Sequence, residues 1–378
     1  MLAISAIPKY ALRYMPLLVL ALLLIPLRVY IEGWTQQKPA PLTNQASSPF
    51  APGSALYSVT MLPSGEAWAV GGSFASKPGV SRDKTSLFPL PSSGEILHYT
   101  INGWEAAKVA EFLQSPLLSM SLDSPQDGWA VVWAGTFVHF SGDVWSTVPG
   151  PLNFNQNLLG VAMLSPTDGW AVGYSGSILH YDGKQWKQEQ SPARVDLHSI
   201  AMPSPQDGWA VGDSGTILHY HNSNWSLVSP SPTNNTLNNV SMLSTGEGWA
   251  AGTHGTILHY RDGTWESVHP ASYYRDPSIY KSVDFSAVAM NSIRSGWIIG
   301  DQHFLTYSAE AWIEPGENSA IFSGMKGKLS GTPSVLVNLY SIAMSPSGEG
   351  WAVGGMNDNA TNVVVILHYQ SGRWSVFS

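Results

Sequence analysis

The sequence predicts an all-β fold, a seven-bladed β-propeller of four-stranded antiparallel blades, preceded by one N-terminal membrane-anchor helix. The first observation is a pattern of roughly 40 residues that recurs along residues 55–378, a period typical of propeller blades. The second is that each copy contains four short apolar runs separated by Gly, Asp, Asn and Pro. The third is an apolar segment with basic flanks near the N-terminus.

Residues 1–32 are predicted to form a signal anchor that spans the cell membrane once. The apolar run 14–27 follows Lys9 and Arg13, which places the N-terminus in the cytoplasm and the rest of the chain outside. No small-residue cleavage site follows the run, which favours an anchor over a cleaved signal peptide, although the run is short for a span. Residues 33–54 are rich in Pro, Ser and Gln and are expected to be a flexible linker.

Four strands, named A to D in chain order, are expected in each blade. Strand B begins at a first tryptophan, strand C reads Ile-Leu-His-Tyr or a variant of it, and strand D begins near a second tryptophan. The first tryptophans are Trp68, Trp129, Trp170, Trp209, Trp249, Trp297 and Trp351, and the second are Trp104, Trp145, Trp186, Trp225, Trp265, Trp312 and Trp374. Because each copy is continuous, the ring is expected to close by packing between blades and not by a shared sheet.

The stretch Asp168–Trp186, DGWAVGYSGSILHYDGKQW, carries two resemblances. Its Asp182, Gly183 and Trp186 resemble the turn of the Asp-box repeat of bacterial neuraminidases, although the Ser and Thr of that motif are absent. The repeat as a whole is more similar to the Ycf48-like propellers, a family linked with photosystem assembly. That resemblance implies the propeller fold and an assembly-factor role, while nothing outside the repeat points to photosynthesis.

A histidine in strand C and an acid before the first tryptophan recur together in six copies. The predicted pairs are Glu66–His98, Asp127–His139, Asp168–His180, Asp207–His219, Glu247–His259 and Glu349–His368. Six equivalent sites indicate a structural tie between strands B and C and not an active site, because buried polar groups need partners. His219 and His221 share a strand face, but no third ligand is evident, so neither a metal nor a cofactor is expected.

Composition argues against several kinds of function. The net charge of −8 disfavours a nucleic-acid partner, because phosphate contacts need a basic surface. The absence of cysteine excludes disulfides, thiolate chemistry and cysteine-bound zinc. Gly-Asp-Ser-Gly at 212–215 resembles a protease nucleophile motif. The same position in other copies is the turn between strands B and C, so the motif is interpreted as that turn and not as a nucleophile. No catalytic residue is therefore proposed, and a monomer is expected.

Loop lengths single out one face as the candidate binding surface. The A–B and C–D turns are constant in length, whereas all four insertions fall in B–C and D–A loops of adjacent blades. Loops on a rigid scaffold often carry function, and aromatic side chains beside cations suit a peptide or a sugar. The candidate ligand-binding residues are Tyr273, Tyr274, Arg275, Tyr280, Lys281, Lys326, Lys328, Arg82 and Lys84.

Three functions remain open from the sequence. The leading one is a membrane-anchored, extracytoplasmic and non-catalytic scaffold that binds a protein or a carbohydrate. The alternatives are an Asp-box-type glycoside hydrolase or lyase and a Ycf48-like assembly factor. A sialidase-like site needs an arginine cluster, and Arg261 and Arg373 are predicted at C–D turns on the opposite face, which disfavours the hydrolase.

Overall fold

Seven four-stranded antiparallel sheets make up the part of the chain that the structure describes. The structure is a computed structural model, and the residues it describes are 54–75, 90–133, 135–271, 277–315, 336–358 and 361–377. In each sheet the four strands lie side by side in chain order, so the predicted all-β propeller with four-stranded blades is confirmed. The predicted anchor, 1–32, lies outside the described residues, as does the predicted linker except Ser54, which begins the first strand.

The strands follow the predicted order A to D in every blade. In blades one to four they are β1 (Ser54–Met61), β2 (Ala67–Ala75), β3 (Leu90–Thr100), β4 (Gly103–Ala106), β5 (Leu117–Ser124), β6 (Asp127–Val132), β7 (Phe137–Ser141), β8 (Val144–Val148), β9 (Leu158–Ser165), β10 (Asp168–Gly173), β11 (Ile178–Tyr181), β12 (Trp186–Gln188), β13 (Leu197–Ser204), β14 (Asp207–Gly212), β15 (Ile217–His221) and β16 (Asn224–Leu227). In blades five to seven they are β17 (Leu237–Ser244), β18 (Glu247–Gly252), β19 (Ile257–Arg261), β20 (Thr264–Val268), β21 (Ala287–Ser292), β22 (Ser295–Gly300), β23 (His303–Ser308), β24 (Ala311–Ile313), β25 (Leu336–Met344), β26 (Gly350–Asp358), β27 (Thr361–Gln370) and β28 (Arg373–Val376).

Strand B is apolar on both faces because each blade packs between two others. In blade three, Trp170 and Val172 pack into a cluster with blade four, while Ala171 points the other way and packs with blade two. A strand that is buried on both faces has apolar residues in succession, without polar residues between them. Trp170, Ala171 and Val172 are such a run. The small Ala171 leaves room for the large Trp129 of blade two in the shared cluster.

Tryptophan pairs join neighbouring blades. The first tryptophan of each blade meets the second tryptophan of the next, with ring centroids 5.1–5.7 Å apart in an edge-to-face arrangement. The pairs are Trp68–Trp145, Trp129–Trp186, Trp170–Trp225, Trp209–Trp265, Trp249–Trp312, Trp297–Trp374 and Trp351–Trp104. The last pair joins blade seven to blade one, and all strands of the described residues belong to these blades, so closure by blade packing is confirmed.

The insertions are built in two different ways. In blades one and seven, strands B and C simply continue, with pairing that reaches Ala75↔Leu90 and Asp358↔Thr361. Between blades five and six, the described part of the insertion contains a 3₁₀ helix, Pro277–Ser282. The segment that follows it reaches the core, since Val283 and Phe285 are buried against blades five and six.

Helical structure is sparse in the residues that the structure describes. It consists there of three 3₁₀ helices, Tyr174–Gly176, Asp213–Gly215 and Pro277–Ser282. None of the helices found in these ranges has the length and apolar character that a membrane crossing requires.

Candidate functional site

The predicted ties between acid and histidine are present in five blades. The histidine Nε2 lies 3.1 Å from the carboxylate in His139–Asp127, 2.8 Å in His180–Asp168, 3.1 Å in His219–Asp207 and 2.6 Å in His368–Glu349, and His259–Glu247 is the fifth pair. Each of these imidazoles also stacks on the first tryptophan of its own blade, with ring centroids 3.8–4.3 Å apart. The ties therefore join strand B to strand C and orient the tryptophan that packs against the next blade.

The sixth predicted tie, Glu66–His98, is not formed as a hydrogen bond. His98 stacks on Trp68 at 3.9 Å as in the other blades, but its Nε2 is buried and has no hydrogen-bond partner in the described residues. Burial lowers the pKa of His98, and the nearby charge of Glu66 opposes this shift without a direct contact. The predicted hydrogen bond is therefore not formed in blade one, although the imidazole stacks on its tryptophan as in the other blades.

The inner strands, strand A of every blade, line a central channel of about 500 Å³. In six blades the register between strands A and B shifts by one residue, a β-bulge, and the unpaired residue lines the channel. Bulges re-aim side chains and are frequent near functional sites. The bulged residues are Tyr57, Leu118, Leu159, His198, Asn238 and Tyr340, and Ser286 holds the equivalent place in blade six. We name these seven residues the mouth ring.

The mouth ring has three chemically different sectors. Going around the channel, Tyr340 and Tyr57 form an aromatic sector, Leu118 and Leu159 an aliphatic sector, and His198, Asn238 and Ser286 a polar sector. These residues lie near the start of each inner strand, on the side of the ring that carries the B–C and D–A loops. A nearly symmetric ring of blades thus surrounds an asymmetric opening.

The aromatic sector is formed by two packed phenol rings. Tyr57 and Tyr340 have ring centroids 5.3 Å apart at an interplanar angle of 40°, and Tyr340 is 36% exposed. Burial, together with the neighbouring Tyr340, raises the pKa of Tyr57 to about 12. Burial also raises the pKa of Tyr340. Both phenols therefore stay neutral at physiological pH and present an apolar ring with a hydroxyl at its tip.

The polar sector is held in place by hydrogen bonds between blades. His198 Nε2 lies 2.8 Å from Asp213 Oδ1 in the B–C turn of the same blade, and Thr236 Oγ1 of the next blade donates to the same oxygen at 3.1 Å. Asn238 Nδ2 donates to the backbone carbonyl of Phe285 in blade six at 2.8 Å. Blades four, five and six are therefore joined at the channel mouth.

Below the mouth ring, a ladder of hydrogen bonds joins neighbouring inner strands. The residue after the bulge accepts a hydrogen bond from a backbone N–H of the adjacent blade. The bonds run from Met120 to Ser58 (3.3 Å), Val161 to Ser119 (3.3 Å), Val240 to Ser199 (3.2 Å), Val288 to Asn239 (3.0 Å) and Val59 to Ser341 (3.1 Å). Gly160 and Ala287 occupy this position in blades three and six and have no acceptor side chain. The ladder therefore ties neighbouring inner strands together at five of the seven seams, directly below the mouth ring.

A second cavity of about 750 Å³ lies on the same face, next to blades five and six. His254 and Thr256 of a B–C turn line it on one side, and Tyr280 and Lys281 line it on the other. The Tyr280 hydroxyl donates to Glu314 Oε2 at 3.1 Å. This groove therefore has one exposed cation, Lys281, at its edge among the described lining residues.

The structure separates the predicted ligand-binding residues into two groups. Those that lie outside the described residues are Tyr273, Tyr274, Arg275, Lys326, Lys328, Arg82 and Lys84. Lys281 is exposed at the groove. Tyr280 differs from the expectation, because it is only 5% exposed and packs with Val283 and Phe285 against blade five. The described part of this insertion therefore contributes to the core, since the 3₁₀ segment folds back onto the blades.

The mouth ring was not among the residues predicted from the sequence. A signal was available, because the residue before the ladder position varies between copies, whereas an apolar residue precedes it throughout. In blade one, for example, Tyr57 stands between Leu56 and Ser58, and in blade four His198 stands between Leu197 and Ser199. A bulge cannot be read from alternation alone, since it places consecutive residues where a regular strand would alternate.

His219 and His221 have a third candidate ligand beside them, which the sequence pattern did not reveal. The two histidines lie on strand C, where the sequence shows no third ligand. Asp207 comes instead from strand B, and its carboxylate and both imidazoles bring atoms that could bind a metal within 4.8 Å of one another.

Comparisons with known proteins identify the fold and no family. No family model matches the chain, and no curated protein matches it. The structure of YCF48 bound to D1 peptide aligns at a TM-score of 0.60 and 17% identity, covering 85% of this chain and 94% of that one. YCF48 from Cyanidioschyzon merolae aligns at a TM-score of 0.56 and 14% identity, covering 84% and 97%. The structure of U3-55K aligns at 0.57 and 9% identity, covering 82% and 94%.

These likenesses support the propeller and the structural part of the Ycf48-like resemblance. The Asp-box character of the repeat is not confirmed by them. At such low identity a shared fold does not carry a shared ligand or activity.

Proposed function

We propose that this chain is a non-catalytic scaffold that binds an extended segment of another protein across the mouth ring. The observation that carries the proposal is the division of the ring into aromatic, aliphatic and polar sectors, held on inner strands that hydrogen bonds join to one another. A ligand that must match three chemistries within one opening is held in one direction and one register. A peptide offers such variety, because its side chains differ while its backbone supplies hydrogen-bonding groups at regular intervals.

The chemistry of the opening favours a protein segment over a carbohydrate. Leu118 and Leu159 offer apolar surface without hydrogen-bonding groups, which suits an apolar side chain better than a sugar hydroxyl. Tyr57 and Tyr340 supply ring area together with a donor, as aromatic anchors do in protein interfaces. YCF48, a propeller of similar shape, has been solved bound to D1 peptide, which is consistent with a peptide ligand for this fold.

The placement of the described arginines supports binding over glycoside hydrolysis. Arg261 ends strand C of blade five, Arg373 begins strand D of blade seven, and Arg294 lies between strands A and B of blade six. These three are on the face opposite the mouth ring, whereas the fourth described arginine, Arg194, lies in the D–A loop before blade four. An arginine cluster of the sialidase type would have to approach a substrate at one point, which these positions do not allow.

We further propose that residues 1–32 anchor the propeller to the outer side of the cell membrane. The support is the basic flank of the apolar run in the sequence. Protease added to intact cells is then expected to remove the propeller and to spare an N-terminal tag. A secreted soluble chain that starts near residues 30–45 would show instead that the segment is cleaved. An assembly role of the Ycf48 kind would be one form of this binding function.

A peptide selection with purified residues 54–378 tests the binding proposal. Peptides selected from a random library are measured against Tyr340→Ser and Leu118→Ser, with Ile293→Ser on the opposite face as control. We expect each mouth variant to weaken binding by about 30-fold, equivalent to about 2 kcal/mol at a hot spot, and the control to bind normally. Equal affinity of all three variants, or selection from a glycan array in place of peptides, would contradict the proposal.

A further inference from the structure

We propose that Asp207, His219 and His221 form a zinc site on blade four, on the face opposite the mouth ring. His219 Nε2 lies 3.1 Å from Asp207 Oδ2, and His221 Nδ1 lies 3.8 Å from the same oxygen. All three ligand atoms are within 4.8 Å of one another. Ligands at zinc bond lengths in a tetrahedron are about 3.4 Å apart, so small rotations of exposed torsions bring these atoms to an ion.

The strand register places the three side chains together. In the β14–β15 pair, Asp207 is directly opposite His221, and Trp209 is opposite His219. Residues two apart on a strand share a face, so both imidazoles and the carboxylate project from the same side of blade four. The imidazoles lie nearly parallel, with ring centroids 5.6 Å apart at 22°. Two imidazoles and one carboxylate are a donor set that zinc accepts, with water in the remaining position.

The site combines two held ligands with one open ligand. His219 stacks on Trp209 at 3.9 Å, and its side chain is 25% exposed, while that of Asp207 is 14% exposed. His221 is 57% exposed and faces solvent. Asp207 Oδ1 is buried and has no hydrogen-bond partner among the described residues. The oxygen that faces both imidazoles is Oδ2, and the exposed histidine leaves room for water ligands at an ion bound there.

The repeat explains two of these residues and leaves the third unexplained. Five blades tie an acid to a histidine, as Asp207 is tied to His219. The position of His221, by contrast, is occupied in the other blades by Thr100, Ser141, Asp182, Arg261, Ser308 and Gln370. Only blade four of the seven therefore carries the complete donor set, which is what a single bound ion requires and what the frame does not.

Blade two provides a matched position at which the site can be rebuilt. Asp127 is opposite Ser141 in the same register, and His139 Nε2 lies 3.1 Å from Asp127 Oδ2. Asp127 Oδ1 is likewise buried without a partner in the described residues. Blade two therefore lacks only the second imidazole, and Ser141→His supplies it.

Zinc titration of chelator-treated residues 54–378 tests the site, with Co²⁺ absorption as a second readout of histidine and carboxylate ligation. We expect one ion per chain, at least tenfold weaker binding in His221→Ser, and two ions per chain in Ser141→His. His269→Ser, which removes another exposed histidine, is expected to bind as the wild type does. The metal-free melting temperature of His221→Ser is expected to equal that of the metal-free wild type, because His221 is exposed.

Two results would overturn the zinc site. One is unchanged zinc affinity in His221→Ser, which would place the ion elsewhere. The other is the absence of zinc binding at micromolar concentration in the wild type, which would leave the three residues as an extension of the structural tie. The peptide-binding proposal is independent of both results, because the mouth ring lies on the other face.

Discussion

Trp351 of blade seven meets Trp104 of blade one edge to face, with ring centroids 5.1 Å apart and ring planes at 83°. The same relationship holds at each of the other seams, for example between Trp249 and Trp312 at 5.2 Å. The first and last blades are thus joined as closely as blades that follow each other in the chain. In the described residues the ring is closed by side-chain packing and by the hydrogen bond from Val59 N–H to Ser341 Oγ, without a strand exchanged between the two ends.

Replacement of Trp351 by Ala is expected to destabilise the propeller as much as replacement at an internal seam. Trp351 is fully buried, and Trp to Ala changes in a core cost about 3–5 kcal/mol. Trp249→Ala is the matched control, because Trp249 is also buried. Denaturant unfolding of residues 54–378 measures both. A loss under about 1 kcal/mol for Trp351→Ala alone would mean that the closing seam adds little stability.

Removal of one ladder hydroxyl is expected to weaken the contact between inner strands. Ser199 Oγ accepts hydrogen bonds from Val240 N at 3.2 Å and from Asn239 Nδ2 at 3.3 Å. Ser199→Ala leaves buried donors unpaired and is expected to lower the free energy of unfolding by about 1–3 kcal/mol. Ser204→Ala, at the end of β13, removes only a solvent-exposed hydrogen bond from Gln206 N–H and is expected to change it by less than about 0.5 kcal/mol. Equal effects of the two variants would argue against the ladder.

Tyr280 and its neighbour Lys281 are expected to respond differently to truncation. Tyr280 is buried in the cluster between blades five and six, whereas Lys281 is exposed. Tyr280→Ala is expected to lower the free energy of unfolding by about 3 kcal/mol, and Lys281→Ala by almost nothing. Thermal unfolding of both variants is the measurement. If Tyr280→Ala unfolds at the wild-type temperature, the insertion does not contribute to the core.

His98 is expected to make the propeller less stable in mild acid. Burial lowers its pKa from 6.5, so the unfolded chain binds the proton more readily than the folded one. Stability from this group is complete above about pH 6.5 and is lost as the pH falls towards the lower pKa of the folded state. Denaturant unfolding at pH 7.5 and 5.5 is expected to show a smaller pH dependence in His98→Thr, which copies Thr306 of blade six. An unchanged pH dependence would place the effect elsewhere.

The fold was predictable because the same sequence pattern recurs in each blade. The Gly-Trp start of strand B, the Ile-Leu-His-Tyr run and the second tryptophan recur with nearly constant spacing, so strand order and blade number follow from counting. The ties between acid and histidine were also predictable, since their residues recur together. His98 is the exception, because a hydrogen bond depends on placement to a few tenths of an ångström and the pattern records only identity.

The candidate site was less accessible to sequence reasoning. The candidate ligand-binding residues were predicted in the long loops. The mouth ring lies instead in the inner strands, where a bulge turns one residue away from the face that regular alternation predicts. Tyr280 was expected at the surface because it lies in an insertion, and it is buried because the 3₁₀ segment packs back onto blade five. Asp207 joins His221 only through the register of β14 and β15, which fixes contacts that are distant in sequence.

Photo-cross-linking tests the binding claim most directly. Benzoylphenylalanine is placed at Tyr340 in the mouth ring or at Ile293 on the opposite face, and a peptide selected on residues 54–378 is the only partner. Both positions are exposed, at 36% and 63%, so either can react if the peptide is near. Binding at the mouth ring predicts a cross-linked peptide from position 340 and none from position 293. Cross-linking from position 293 alone, or from neither position while the peptide remains bound, would contradict binding at the mouth ring.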